Sequence, residues 1–303
     1  MSRQGGAIVV RVVLLGTAAG GGFPQWNCAC ALCAAARDGK LPSRTQECVA
    51  VTGNARDWWL LNASPDIRTQ LTATPALWPG PGARDTPVRG VLLTDAEPHH
   101  VTGLAELRGA AGLKVYAPRP VLAALTPARA VLDRYAPWEW SDSLAEGGFV
   151  LAGGLVVTAH PMGTKPPVYL PPRPADDRWV TAYRIEDLAT GGALVYAPGV
   201  AAWSETLDEM LATADCAVLD GTFFTAEEAG TAARVGTGRP RLGHLPVSGP
   251  GGSLAALARH PGVRRIYTHL NNTNPLLDAS SAARAQVNGA GVQVLMDGAE
   301  FVV

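Results

Sequence analysis

Short apolar runs recur along the chain, each a few residues of valine, leucine, isoleucine or aromatics closed by Gly, Asn, Asp or Pro. That punctuation predicts β-strands. The first five are Val9–Leu15, Cys48–Thr52, Trp58–Asn62, Val88–Thr94 and Lys114–Tyr116. Six more follow at Leu155–His160, Thr181–Ile185, Ala193–Ala197, Ala217–Asp220, Arg265–His269 and Val292–Met296. Helical patterns lie between them at Pro65–Leu71, with Ser64 as N-cap, and at Val101–Leu107, Arg119–Tyr135, Thr206–Ala212, Ser253–Arg259 and Ala279–Asn288. Strands cluster in pairs, with helices interspersed and no strict β-α alternation. The expectation is an α/β fold built as an αββα sandwich, two facing mixed sheets with helices outside. No internal repeat or long linker divides the chain, so residues 1–303 are read as one domain.

The polar residues gather where these strands end. Leu92-Leu-Thr94 runs into Asp95-Ala-Glu97-Pro-His99-His100, and Ala217-Val-Leu219 runs into Asp220. Ile266-Tyr-Thr268 runs into His269, and Val156-Val-Thr158 into Ala159-His160. Acids and imidazoles at the ends of rigid strands can converge on one rim. His100, His269 and Asp220 make two imidazoles and a carboxylate, the usual ligand set for a non-haem iron(II) that activates dioxygen. Asp95, Glu97 and His99 add oxygen donors and another nitrogen beside it. The alternative is a solvated acidic turn with ordinary histidines. His244, in Gly243-His-Leu-Pro246, is either a proton-transfer histidine beside the metal or a hydrogen-bonded structural one.

Three cysteines fall within six residues, Cys28-Ala-Cys30-Ala-Leu-Cys33, after the glycine turn Gly16-Thr-Ala-Ala-Gly-Gly-Gly22. Thiolates this close suit one soft cation, zinc above all, pinning the N-terminal loop. The alternative is a set of buried or redox-active thiols. Cys48, Asn272 or a water is the candidate fourth ligand.

Composition sets the remaining bounds. The 303 residues are 47% hydrophobic, enough for a substantial core, and the net charge of −1 gives no reason to expect nucleic acid or an anionic membrane. Five cysteines, three of them clustered, fit a reducing compartment better than a disulfide framework. No apolar run approaches the roughly 20 residues that cross a bilayer, and the apolar stretch around Ile8–Leu15 reads as a strand rather than a signal peptide. A cytoplasmic protein is expected. The prolines of Pro166–Pro174 and Pro79–Pro87 mark exposed loops or lids.

Several long motifs carry a family resemblance. Leu15-Gly-Thr-Ala-Ala-Gly-Gly-Gly-Phe-Pro-Gln-Trp-Asn-Cys-Ala-Cys30 resembles the start of the pyrroloquinoline quinone (PQQ) biosynthesis protein B family, of the metallo-β-lactamase-fold superfamily. So do Arg44-Thr-Gln46, Leu61-Asn-Ala-Ser-Pro-Asp-Ile-Arg68, Gly243-His-Leu-Pro246 and Thr268-His-Leu-Asn-Asn-Thr-Asn-Pro275. The resemblance covers essentially the whole chain and implies the same sandwich. The superfamily's hydrolases carry His-x-His-x-Asp-His where this chain reads Asp95-Ala-Glu97-Pro-His99-His100. Carboxylates at 95 and 97 remove the first metal position, which argues against hydrolysis. His100, Asp220 and His269 match the second position, and His99 stands where the superfamily has aspartate.

The resemblance implies a step in making PQQ from a cross-linked Glu–Tyr precursor, by iron- and dioxygen-dependent hydroxylation of the tyrosine ring. An older assignment, carriage of the cofactor or its precursor to the periplasm, is the alternative; a metal-dependent hydrolase ranks below both. Other PQQ-pathway proteins are candidate partners, and open edge strands allow a homodimer. In the hydroxylase reading His100, Asp220, His269 and His99 hold iron, with Asp95 and Glu97 adjusting it. His244 moves protons, and Cys28, Cys30 and Cys33 hold a structural zinc. Arg68, Lys165 and Arg173 are read, from charge and loop position, as meeting the substrate's carboxylates.

Overall fold

The computed structural model describes residues 10–145, 147–171, 176–235 and 243–303, with the backbone alone at 231–235. Val9 and Arg173 lie outside the described residues. The strands are β1 (Arg11–Gly16), β2 (Cys48–Thr52), β3 (Trp58–Leu61), β4 (Val88–Leu92), β5 (Lys114–Ala117), β6 (Glu139–Asp142) and β7 (Phe149–Leu151). They continue with β8 (Leu155–Gly163), β9 (Val180–Asp187), β10 (Ala193–Ala197), β11 (Cys216–Asp220), β12 (Arg264–Thr268), β13 (Val292–Val294) and β14 (Glu300–Val302).

Two seven-stranded sheets result, ordered β14-β1-β2-β3-β4-β5-β6 and β13-β12-β11-β10-β9-β8-β7. Each is antiparallel on one side and parallel on the other. From β3 to β6 and from β10 to β13 all neighbours run parallel. Parallel strands inside a sheet have both faces covered, and β3, β10 and β11 are buried at every position. In β1, Val12 and Leu14 join the core between the sheets, with Leu194, Tyr196 and Val218 of the opposite sheet. Val13 and Leu15 point the other way, into a layer with Ile67, Leu104 and Val121 from the flanking helices. The second sheet does the same with Ala217, Leu219 and Tyr267 against Leu207, Leu211 and Val287. Each such Val or Leu contributes about 1.5–3 kcal/mol on burial, so three apolar layers fix this αββα architecture.

Some helices differ from expectation. Arg119–Tyr135 is two helices, Arg119–Ala124 and Thr126–Leu132, because Pro127 cannot continue the first one's hydrogen bonding. The helix after β3 begins at Ile67, not Pro65, and the Ser64 hydroxyl accepts from Asp66 N at 3.2 Å in the turn before it. The same hydroxyl donates to Gln70 Oε1, 2.9 Å away. Among the described residues no helix is long and apolar enough to cross a membrane.

The parallel halves position the site. β3, β4, β10, β11 and β12 end toward one rim, where the chain must turn and polar residues replace apolar ones.

Candidate metal centre

Four of the six histidines meet at this rim. His99 and His100 follow β4 on a single turn, Pro98–Val101, started by a proline at its first position. His269 follows β12 directly, at φ +60°, a left-handed conformation that costs a non-glycine residue roughly 1 kcal/mol or more. The turn is held on both sides, with Leu270 N donating to Thr17 O and Gly221 N to Thr268 O at 2.9 Å each. His244 comes from the loop before the helix Ser253–Leu257.

The donor atoms fall into two groups that share His269: His99, His100 and His269, and Asp220, His244 and His269. His99 Nε2 and His269 Nε2 are 3.0 Å apart. Two nitrogens bound at ~2.1 Å to adjacent positions of one octahedral ion keep about that separation. Burial holds both imidazoles well below their ordinary pKa, and the neighbouring imidazoles add to the effect. Both therefore offer lone pairs. A side chain at Gly20 would stand 2.8 Å from His99 Nδ1, so the glycine turn is what admits the His99 ring.

The hydrogen bonds fix which nitrogen of His269 is bare. Thr222 Oγ1 donates to Asp220 Oδ1 at 2.6 Å and so accepts from His269 Nδ1 at 2.7 Å. The proton is on Nδ1 and the lone pair on Nε2. Asp220 also accepts from Thr222 N at 3.0 Å, Val200 N at 2.8 Å and His244 Nδ1 at 2.7 Å. Four donors occupy its two oxygens, and through them it orients His244 directly and His269 by way of Thr222.

His100 is buried and held by Asp95, whose two oxygens lie 2.9 and 2.8 Å from Nδ1. Burial alone would raise the Asp95 carboxyl, but the His100 ring outweighs it and holds the acid well below the usual carboxylate range. Burial opposes charge on His100 in turn; Asp95 and then Glu47 overcome that and raise its pKa. His100 Nε2 is buried and has no hydrogen-bond partner. An orphaned imidazole nitrogen beside two bare ones is the mark of a metal seat.

A cavity of about 220 Å³ opens onto this cluster, lined among others by Glu97, His99, His100, Lys165 and His244. Lys165 Nζ is 3.9 Å from Glu97 Oε1. Burial raises the Glu97 carboxyl, Asp95 adds to that, and Lys165 opposes it. Arg68 is exposed on the helix Ile67–Ala73 and does not line the cavity, so the structure does not bring it to the site. His160 also stays outside, its Nε2 3.2 Å from Thr158 Oγ1 on its own strand.

The three cysteines form a second group, with Cys33 buried in the helix Ala31–Arg37. Asn272 sits over all three sulfurs, its amide 3.1 Å from Cys28 Sγ, 3.4 Å from Cys33 Sγ and 3.9 Å from Cys30 Sγ. Cys48 is not part of this group; it is buried in β2 and donates to Asn62 O at 3.2 Å. The N–H of Cys30 lowers the Cys28 thiol, while burial raises that of Cys30.

Two residues have roles the motifs did not announce. Thr222 follows Asp220 by two positions and carries its orientation to His269. Glu47 is fully buried, 3.8 Å from His100 Nε2. Its one signal was an acid heading the largely apolar run Cys48–Thr52.

The model for the beta-lactamase superfamily domain matches residues 57–270. Coenzyme PQQ synthesis protein B of Pseudomonas aeruginosa is 38% identical over 305 residues, covering 95% of this chain and 98% of that one. Its namesake from Pseudomonas putida strain W619 is 39% identical over 302 residues, again 95% of this chain and 98% of that one. The crystal structure of Zn(2+)-bound PqqB from Methylobacterium extorquens superposes with a TM-score of 0.87 at 37% identity, covering 97% of this chain and all (100%) of that one. By fold, by metal-ligand clusters and by sequence over nearly its full length, the chain belongs to the coenzyme PQQ synthesis protein B family of the beta-lactamase superfamily.

Proposed function

We propose that the chain hydroxylates the tyrosine ring of the cross-linked Glu–Tyr precursor in PQQ biosynthesis, using iron(II) and dioxygen. The names of its relatives support the pathway. The observation that carries the chemistry is the cluster of nitrogens on His99, His100 and His269, of which His99 and His100 line a cavity. A nitrogen-rich, redox-competent seat with room for substrate suits iron(II) better than the two-zinc hydrolytic arrangement. When bound, iron supplies the one-electron chemistry that lets dioxygen react with a closed-shell ring.

The residues around the seat have separate tasks. Asp95 keeps the Nδ1 proton of His100 and so aims its Nε2. Thr222 does the same for His269, and Asp220 anchors Thr222. His244, with Nδ1 on Asp220, keeps Nε2 to take the proton that the ring or its phenol gives up. Lys165 presents an ammonium at the cavity wall for a precursor carboxylate. The cysteine group takes zinc, with Asn272 turned so that its Oδ1 is the fourth donor, and ties the N-terminal loop to the segment that follows His269.

The test is metal analysis of protein purified without oxygen, paired with oxygen uptake on a synthetic cross-linked Glu–Tyr compound. About one zinc and one iron per chain, with iron-dependent uptake and a hydroxylated product, is expected. Zinc alone and no uptake after adding iron(II) excludes the hydroxylase. In the same assay Lys165→Ala raises KM for the precursor about tenfold with kcat little changed, the loss of one partly exposed charge-assisted contact. An unchanged KM removes Lys165 from the substrate site.

A further inference from the structure

We propose that residues 164–170 are a strap that swings out to admit the precursor and closes over it, with Tyr169 as its latch. β8 ends at Gly163, which still pairs with Val180. Beyond it the chain leaves the sheet and contributes Lys165, Pro167 and Val168 to the lining of the histidine cavity. Tyr169 Oη then donates to Ala96 O at 2.9 Å, in the loop between β4 and the turn that carries His99 and His100. Lys165 Nζ stands 3.9 Å from Oε1 of Glu97, the next residue of that loop. A segment that starts from one sheet is thus fastened by side chains to the metal loop of the other.

The backbone of the strap adds little to that fastening. Pro166 and Pro167 have no N–H to give. Among the described residues the one backbone–backbone hydrogen bond of residues 164–170 is internal, from Leu170 N to Pro167 O at 3.2 Å. Pro167 is the one buried residue of the seven, and Val168 and Tyr169 are 57% and 52% exposed. A segment with few backbone hydrogen bonds and little buried surface opens far more readily than the whole domain unfolds. With the strap closed the cavity is about 220 Å³. A drug-sized molecule needs ~300–1,000 Å³ to be enclosed. Two amino acids joined covalently are of that size, so the precursor enters when the strap moves aside, and its return shuts water out. The need for opening rests on the proposed substrate, whereas the latch rests on the fastening alone.

Tyr169→Phe removes the latching hydroxyl and keeps the ring. Chymotrypsin cuts after either residue, so cleavage after position 169 of the full chain, without precursor, reads the fraction of open strap. Loss of one neutral hydrogen bond is expected to speed that cleavage about fivefold. Cleavage after the exposed Tyr135 is the control and is expected not to change. The synthetic cross-linked Glu–Tyr compound is then mixed with each protein in the absence of dioxygen. Association and dissociation are both expected to quicken about fivefold in Tyr169→Phe, leaving Kd little changed, because opening gates both directions. Unchanged cleavage and binding rates overturn the proposal. Faster dissociation with association unchanged also overturns it, since Tyr169 is then a contact of the closed complex and not a gate. Equal quickening of cleavage after positions 135 and 169 overturns it as well, being general loosening of the fold. A wild-type chain that does not bind the compound fails at the proposed substrate, and cleavage after position 169 relative to position 135 then decides the latch by itself.

Discussion

Replacing His269 with alanine is expected to empty the histidine centre and abolish turnover while leaving the fold and the cysteine site intact. His269 is the one residue common to both donor groups, so its loss breaks each of them. Its Nε2 is bare because Thr222 holds the proton on Nδ1, and alanine restores neither arrangement. A structural zinc bound by four ligands is worth roughly 10–16 kcal/mol, about 3–4 kcal/mol per ligand. Deleting one ligand therefore lowers affinity by about 100- to 1,000-fold. The backbone at position 269 is held by hydrogen bonds from Leu270 N and Gly221 N in the flanking segments, which do not depend on the ring. Metal analysis, circular dichroism and oxygen uptake check the three parts together. Full activity in the variant would remove His269 from the centre and with it the hydroxylase proposal.

The strands with both faces buried were the most legible in the sequence. β2 and β10 match their apolar runs residue for residue, since Cys48–Thr52 and Ala193–Ala197 are buried at every position. Three strands were not legible: β6, β7 and β14. All three are sheet edges. An edge strand is paired on one side only and tolerates exposed polar residues, and Glu139-Trp-Ser-Asp142 and Glu300-Phe-Val302 carry little apolar signal. The helix Ala31–Arg37 was hidden for another reason. Its N-cap is a thiol, Cys30 Sγ accepting from Cys33 N at 3.5 Å, and its alanines bury only one face.

The site was legible to the extent that its residues end strands. His99, His100, Asp220, His269 and His244 were all named from position, and the structure brings them together. Hydrogen bonding across the rim was not legible, and it decides which acid aims a ring and which is left with spare lone pairs. Asp220 stands with His244 and His269 in one donor group, while both oxygens of Asp95 face His100 Nδ1. The Arg44-Thr-Gln46 motif shows the same limit. Arg44 donates to Thr17 Oγ1 at 2.7 Å, and Gln46 accepts from Gly21 N at 2.9 Å and donates to Asp66 Oδ2 at 3.1 Å. The motif braces the glycine turn beside His99, a task with no chemistry of its own.

The second large effect lies at the cysteines. Cys33 is buried among Phe23, Ala36 and Leu270, and Asn272, which covers its sulfur, lies three residues beyond His269. Around it Ala19 N donates to Leu270 O at 2.8 Å, so the N-terminal loop and the segment after β12 are one unit. In Cys33→Ser the harder hydroxyl gives zinc a poorer donor in place of a thiolate. The loss of one ligand's share costs about 3 kcal/mol or more, and the melting temperature falls by roughly 5–10 °C. The effect does not stop at stability. His99 packs against Gly20 of the same loop, so a loosened loop frees the ring that shares the metal seat with His269. Zinc content, melting temperature and iron affinity should fall together in Cys33→Ser, with iron affinity the least affected. A variant that keeps its melting temperature after zinc is lost would show that packing around Cys33, and not the metal, holds the loop in place.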